Sequence, residues 1–563
     1  MLGFDIARFR ELAFGRSALP DHPLQDEKAV QKMLEEVPAD PLTGLAELTH
    51  WAVSINLDSS FTTERRGRVL MALDIAARPF WSGLAAQYLA PDANPSEGRD
   101  GDPAILRAML DSAVAFGTGY GFSLDAGDKA SRWVEGNLGQ LALRRARWLG
   151  RRFTLANMLH LPNIDDTWED LHLLYMMSEA RQILRNVTQT DSGGPFTSSV
   201  KQEYTRILLT DMAGLDALSG REIDLAYRVA GRIAVNARLE PEPIPGAICA
   251  IELRGSSRPI AVRRLAETPT KVLYLDAFNC LSRLKAFMER DMDADLSGPD
   301  TLFGSGYTLR ERNAMLNRLI DLWGPTPPQR RSKRVPFKVT ALIRGGFNSS
   351  VDVIQPLEQG DYKSPAETAS ALQIVLDPGA PAAKPVGIKK ALESARVRLV
   401  DASVGGLGLL VPRNEAPWAR LGVLIAVYVE PGPDWVVGVL RRISAVGDML
   451  GLGLAVFSRQ PKLVWFHLET TGYTSVWEEE KRMDRNFLEH FQRGILMDAD
   501  CAPLGPGELL LAPGVGERGS RLDIPFAQGL QRIRITAVRE ASEDFHRVAF
   551  ESLGMTPRPP ANP

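Results

Sequence analysis

The sequence is poor in the residues that make covalent and metal chemistry easy to read. Among 563 residues there are three cysteines and seven histidines. Cys249, Cys280 and Cys501 lie far apart and show no ligand-like spacing, which speaks against a disulfide framework or thiolate zinc site and for a reducing, cytoplasmic compartment. His160 and His172 would lie about three turns apart on one continuous helix, but Pro162 stands between them. Charge of one sign is also missing: 66 Lys and Arg against 69 Asp and Glu leave a net charge of −3, so long nucleic acid is not an expected partner. The longest apolar run, LGVLIAVYV at 421–429, is too short to span a bilayer, and no transmembrane segment is expected. The opening MLGFDIARFRELAFGRS carries charge throughout and has no apolar signal core.

What is present is an ordinary globular composition, 44% hydrophobic and 24% charged, at a length that implies several domains. Residues 1–323 read as a mostly helical domain. Leu42, Leu45, Leu48, Trp51 and Ile55 recur at helical spacing after Asp40-Pro41, a helix start. TWEDLHLLYMMSEARQILR (167–185) and TLRERNAMLNRLIDLW (308–323) continue the pattern, while AICAIEL (247–253) and KVLYLDA (271–277) read as short strands, the second equally able to open a helix. No clean repeat marks a helical solenoid.

At GPTPPQ (324–329) the punctuation changes, and residues 324–334 read as a hinge. From 335 to 460 the text becomes short strands with Gly and Pro turns: FKVTALI, RVRLV, GLGLLV, GVLIAVYVE, WVVGVLRRIS and MLGLGLAVF. That rhythm predicts a small antiparallel barrel. A Gly-, Pro- and Ala-rich stretch at about 344–393, with one helix at IKKALESA, interrupts it as an insertion. Residues 461–555 read as a helix, WEEEKRMDRNFLEHFQRGIL (477–496), followed by a small β unit, with a disordered tail at 556–563. The fold class is therefore α+β multidomain.

Several motifs have weak claims to chemistry. TDSGGPF (190–196) resembles the surroundings of a serine protease nucleophile, but it lies between helical segments and has no recognisable upstream base, so it reads as a loop. FGTGYGF (116–122) lacks a preceding strand and the dinucleotide-binding spacing, and reads as a turn between helices. LRRARWLGRR (143–152) is a basic cluster, either a solvated or acid-paired helix face or a surface for an acidic partner or anionic lipid. No nucleophile–base pair or metal cluster is evident, and no enzyme is expected.

The strongest signal is paired. DASVGG interrupts the alternating pattern of RVRLVDASVGGLGLLVP (396–412) with residues that suit turns better than strands. QRRSKR (329–334) carries Arg330, Arg331 and Arg334 on the segment that enters the barrel. An RxxxR before a small barrel, followed by Asp401-x-Ser403-x-x-Gly406, resembles the PilZ domain, the receptor module for cyclic di-GMP. VVGVLRRIS and GLGLAVF resemble that family's closing strands, and the likeness covers about residues 326–460. The two motifs are usually closer together than the 67 residues separating Arg334 from Asp401.

The resemblance implies cyclic di-GMP as ligand, no other cofactor, and Arg330, Arg331, Arg334, Asp401, Ser403, Gly405 and Gly406 as its site. The chemistry is consistent: Arg forks onto phosphate or guanine, Asp accepts guanine N–H groups, and Gly admits close approach. The alternative is a local turn or β-bulge with solvated linker arginines. The expected function is a second-messenger effector acting on an unidentified protein partner, with type IV pili and surface attachment as its setting. The competing expectation is a degenerate barrel serving only as an interaction scaffold.

Overall fold

A computed structural model describes residues 22–24, 27–90, 103–125, 131–162, 164–189, 197–265, 272–293, 303, 306–329, 332–357, 395–429, 435–468, 491–497, 504–526 and 529–557. The chain divides into two compact units, with the main boundary between Gln329 and Arg330.

The first unit is mainly helical. Its helices are α1 (Glu27–Glu36), α2 (Pro41–Leu57), α3 (Thr63–Leu89), α4 (Pro103–Leu124), α5 (Arg132–Met158), α6 (Ile164–Ala180), α7 (Val200–Asp211), α8 (Gly220–Ile233), α9 (Phe278–Asp293) and α10 (Leu309–Trp323). Their starts are written in the sequence. Asp40 caps α2 by accepting from Thr43 N–H, with Pro41 in the first turn. Ser199, Ser219 and Thr308 each form a reciprocal capping box with Gln202, Glu222 and Glu311. A two-stranded ribbon, β1 (Thr188–Gln189) and β2 (Thr197–Ser198), precedes α7. A four-stranded sheet is built from β3 (Arg238–Glu240), β4 (Cys249–Glu252), β5 (Ile260–Ala261) and β6 (Val272–Asp276), in the order β3-β6-β4-β5. KVLYLDA thus forms a strand, and the helix α9 begins only after it.

FGTGYGF is not a turn. It lies inside α4, where a Cβ on Gly119 would sit 2.5 Å from Asn56 Oδ1 and 2.6 Å from Leu70. The glycine is there because α2 and α3 approach this helix closely, a requirement of tertiary packing that local reading cannot see. Among the described residues α3 alone is long and apolar enough to cross a membrane. Its Leu70, Leu73, Ala77 and Leu84 are buried in the helical core, and its Asp74 is ion-paired with Arg144 of α5.

The second unit contains two closed six-stranded antiparallel barrels. The first comprises β7 (Val335–Gly345), β8 (Ala395–Ser403), β9 (Gly406–Pro412), β10 (Leu424–Val429), β11 (Trp435–Val446) and β12 (Met449–Ser458). Its neighbours run β7-β8-β9-β12-β11-β10 and back to β7. The second comprises β13 (Lys462–Leu468), β14 (Phe491–Met497), β15 (Gly507–Leu511), β16 (Arg521–Phe526), β17 (Gly529–Ala541) and β18 (His546–Pro557). Its order is β13-β14-β15-β18-β17-β16, closing on β13, which is the same connectivity strand for strand. The C-terminal β unit is therefore a complete barrel.

Two expectations need correcting. Residues 491–496, read as the end of a helix, belong to β14, which β13 and β15 hold by backbone hydrogen bonds on both sides. Residues 477–490 of that segment, like IKKALESA up to Ser394, lie outside the described residues. Thr556 and Pro557, assigned to a disordered tail, pair with Leu530 and Gly529 in β18. The stretch between β7 and β8, read as an insertion, opens with a short helix, α11 (Phe347–Val351), which with a parallel bridge from Pro356 to Leu463 ties its start to both barrels.

The barrels share an apolar seam. Ile425 and Val427 point into the first barrel, while Leu424 and Ala426 of the same strand pack with Val437, Val439, Ile495, Leu510 and Phe545. Strand β10 is thus apolar on both faces, which explains why LGVLIAVYV is a continuous hydrophobic run. At the edge of the seam the Asp544 carboxylate accepts from the Phe347 N–H at 3.0 Å and the Leu424 N–H at 2.8 Å. These backbone groups belong to the first barrel and its adjoining helix, and Asp544 belongs to the β17–β18 hairpin of the second.

Candidate functional site

The DASVGG break is a hairpin. Ser403 pairs with Gly406, leaving Val404 and Gly405 as a two-residue turn between β8 and β9. A register shift between Leu399 and Asp401 adds a β-bulge just before it. The bulge re-aims Asp401 so that it lies opposite Pro336 on β7 and Gly408 on β9. The strand interruption therefore has a local cause, and the polar side chain it presents has a protein partner. Arg334 Nη1 donates to Asp401 Oδ1 at 2.7 Å and to Oδ2 at 2.9 Å, with both side chains about three-quarters buried.

The surrounding residues have distinct roles. Ser403 Oγ donates to the Gly406 carbonyl at 3.4 Å, a long bond within the turn. A Cβ on Gly406 would meet the Leu454 carbonyl at 2.9 Å, so packing of β9 against β12 requires glycine there. Gly405 is different: a Cβ there would meet nothing within 4 Å, and its carbonyl accepts from Val456 N–H. Arg330 and Arg331 lie outside the described residues. Of the expected site, the fold brings together Arg334, Asp401, Ser403, Gly405 and Gly406 on the outside of one barrel.

Two neighbours escaped the sequence reading. Gly408 is needed because a Cβ there would fall 2.6 Å from Asp401 Oδ1. Arg459, just past β12, donates through Nη2 to the carbonyls of Ser403 at 2.9 Å and Val404 at 3.2 Å, clamping the hairpin. Gly408 sits two residues beyond the recognised motif, a signal that was available. Arg459 has no local signature, because its contact depends on closure of the barrel.

The other candidate motifs have structural occupations. Arg145 and Arg152 both bind Asp170, Arg147 binds Glu203, and buried Arg144 binds Asp74. Arg151 lies over the rings of Trp81 and Trp148. The cluster at 143–152 is therefore paired within the helical unit. His172 is buried between the Tyr204 hydroxyl at 2.8 Å and the Ser257 carbonyl at 2.9 Å, and burial lowers its pKa. Among the described residues no group of His, Cys, Asp and Glu is arranged to hold a metal ion. Cys249 and Cys280 are buried free thiols, Cys280 pushed up to about 12 by desolvation, so neither is a ready nucleophile. TDSGGPF lies outside the described residues.

A small barrel presenting an arginine–carboxylate pair beside glycine-rich backbone is suited to a compact anionic ligand with hydrogen-bonding edges. Comparison with known families gives a match in another part of the chain. Residues 28–243 match the family model described as "Cyclic-di-GMP receptor FimW, N-terminal domain". The match falls in the helical unit, away from the barrel motifs, so it is independent of them. No curated protein matches the chain.

Proposed function

We propose that this chain is a non-enzymatic receptor for cyclic di-GMP with a PilZ-type site on its first barrel. The observation that carries this reading is the meeting of Arg334 and Asp401, 67 residues apart in sequence, on one outer barrel face. The similarity of the helical unit to a cyclic-di-GMP receptor family supports the same ligand from a different part of the chain. Arg330, Arg331 and Arg334 would supply cations to the phosphates and to a guanine edge, Asp401 would accept guanine N–H groups, and Ser403 with Gly405 and Gly406 would line the turn.

The pair seen here is suited to exchange. Arg334 and Asp401 each keep about a quarter of the side chain exposed, so a ligand can reach the pair from solvent. The Arg segment also sits at the boundary between the two units, so ligand capture there would order the connection and alter how the helical unit meets a protein partner. A cytoplasmic setting and a partner in pilus or motility machinery belong to the same reading.

Isothermal titration with cyclic di-GMP tests it, with GTP as control and Arg330→Ala/Arg334→Ala as the variant. Micromolar or tighter binding, absent for GTP and lost in the variant, is expected. A well-folded wild-type chain that does not bind would leave the barrel as a scaffold. Equal hydrogen-exchange protection of residues 324–334 with and without ligand would reject the switch while leaving the receptor intact.

A further inference from the structure

The outer face of the first barrel extends past the recognised motif. Following the register outward from β7 gives Pro336, Asp401, Gly408, Gly453 and Arg442 on five successive strands. Gly408 and Gly453 are direct partners across β9 and β12. The Asp401 carboxylate lies over Gly408, where a Cβ would meet it at 2.6 Å. The Arg442 stem lies over Gly453, where a Cβ would meet Arg442 Cβ at 3.1 Å and Cδ at 3.6 Å. The two oppositely charged side chains thus lean toward one another over the Gly408–Gly453 pair, with no glycine Cβ between them and with Arg442 exposed to solvent. Their strands are three spacings apart, about 14 Å between backbones. Glycine weakens a strand interior, and here the facing pair makes room for those two side chains to lie across the strands.

We infer that Arg442 is a further ligand-contacting residue, one that reads the base. This rests on the receptor reading above. A guanine held between the two side chains presents N1–H and N2–H to a carboxylate, and O6 and N7 to a guanidinium. Asp401 and Arg442 offer those two complements from opposite sides. Adenine inverts the pattern: its N1 faces Asp401 as an acceptor, and its N6 amino group faces Arg442 as a donor. The pair therefore selects guanine over adenine, and Arg442 does so from outside both motifs.

The test titrates the full chain with cyclic di-GMP and cyclic di-AMP, comparing wild type with Arg442→Ala, Arg442→Lys and Arg334→Ala. Thermal melting of each variant checks that it is folded. Arg442→Ala should weaken cyclic di-GMP about tenfold or more and leave cyclic di-AMP unchanged, in line with the roughly 1–3 kcal/mol discrimination of a bidentate arginine–guanine contact. Arg442→Lys should recover part of the loss. Wild-type affinity in Arg442→Ala, alongside weak binding in Arg334→Ala, would overturn the inference and leave the receptor reading standing. Equal losses for both ligands would also overturn it, because Arg442 would then supply charge and not base recognition. Failure of the wild-type chain to bind cyclic di-GMP would reject both readings together.

Discussion

The two barrels have the same connectivity and use the same face in opposite ways. In the first barrel the outer surface of β8 and β9 carries Asp401, Ser403, Gly406 and Gly408, a polar and glycine-rich surface. The corresponding strands of the second are β14 and β15. Their outward Ile495, Met497 and Leu510 are buried in the seam between the barrels. Where the second barrel has apolar side chains that dock, the first has glycines, with the Asp401 carboxylate lying over Gly408. Connectivity alone therefore does not set what that face carries. The choice is made by a few outward positions on two strands, while the inward positions, such as Leu407 and Leu409 against Leu509 and Leu511, stay alike.

This comparison can be broken at several points. The largest effect is expected at the seam. Phe545 is fully buried, and its ring meets Phe457 of the first barrel edge-on at a centroid distance of 5.7 Å. Phe545→Ala should cost about 3–5 kcal/mol, read as lost hydrogen-exchange protection of β10 and β14 amides. Loss confined to β17 and β18 would mean the barrels are stable independently. Next comes the open face. Arg334→Ala should weaken cyclic di-GMP by about 2 kcal/mol or more, roughly thirtyfold, and wild-type stoichiometry should be one ligand per chain because the second barrel's equivalent face is covered. A stoichiometry of two would undo the contrast. A smaller effect is expected for Asp544→Ala, which leaves the Phe347 and Leu424 N–H groups without their carboxylate acceptor and should cost about 1–3 kcal/mol in denaturant unfolding. Asp544→Asn should restore part of it, since the amide oxygen still accepts.

Much of this architecture was legible because the signals were local. Most strands of the first barrel end at Gly or Pro and alternate or run apolar as their burial requires, so FKVTALI through MLGLGLAVF read correctly. The second barrel was harder. KLVWFHL has little alternation to mark β13, and β14 follows the charged run WEEEKRMDRNFLEH, whose composition favours helix. Its true state is imposed by pairing with β13 and β15, a non-local fact. The site divides in the same way. Asp401, Ser403 and Gly406 are close in sequence and visible as a motif, whereas Arg442, Gly453 and Arg459 join them only after six strands have closed. FGTGYGF erred in the opposite direction: glycines that look like a loop serve a helix crossing.

The weakest expected effect sharpens what holds the seam together. Arg441 Nη2 reaches both carboxylate oxygens of Glu540 at 2.7 Å, joining β11 of the first barrel to β17 of the second. It looks like a clasp, yet Arg441 is about half exposed, and such pairs offset their attraction with lost side-chain freedom and solvent screening. Arg441→Ala should therefore cost less than about 1 kcal/mol, and the small difference should shrink further in high salt. Denaturant unfolding of wild type and variant at low and high ionic strength measures both numbers. A loss as large as that of Asp544→Ala would mean the seam is electrostatic, and the apolar residues of β14 and β15 would not be what commits the second barrel's face to docking. A negligible loss places that commitment with Ile495, Met497 and Leu510, side chains that the open face of the first barrel replaces with glycine and polar groups.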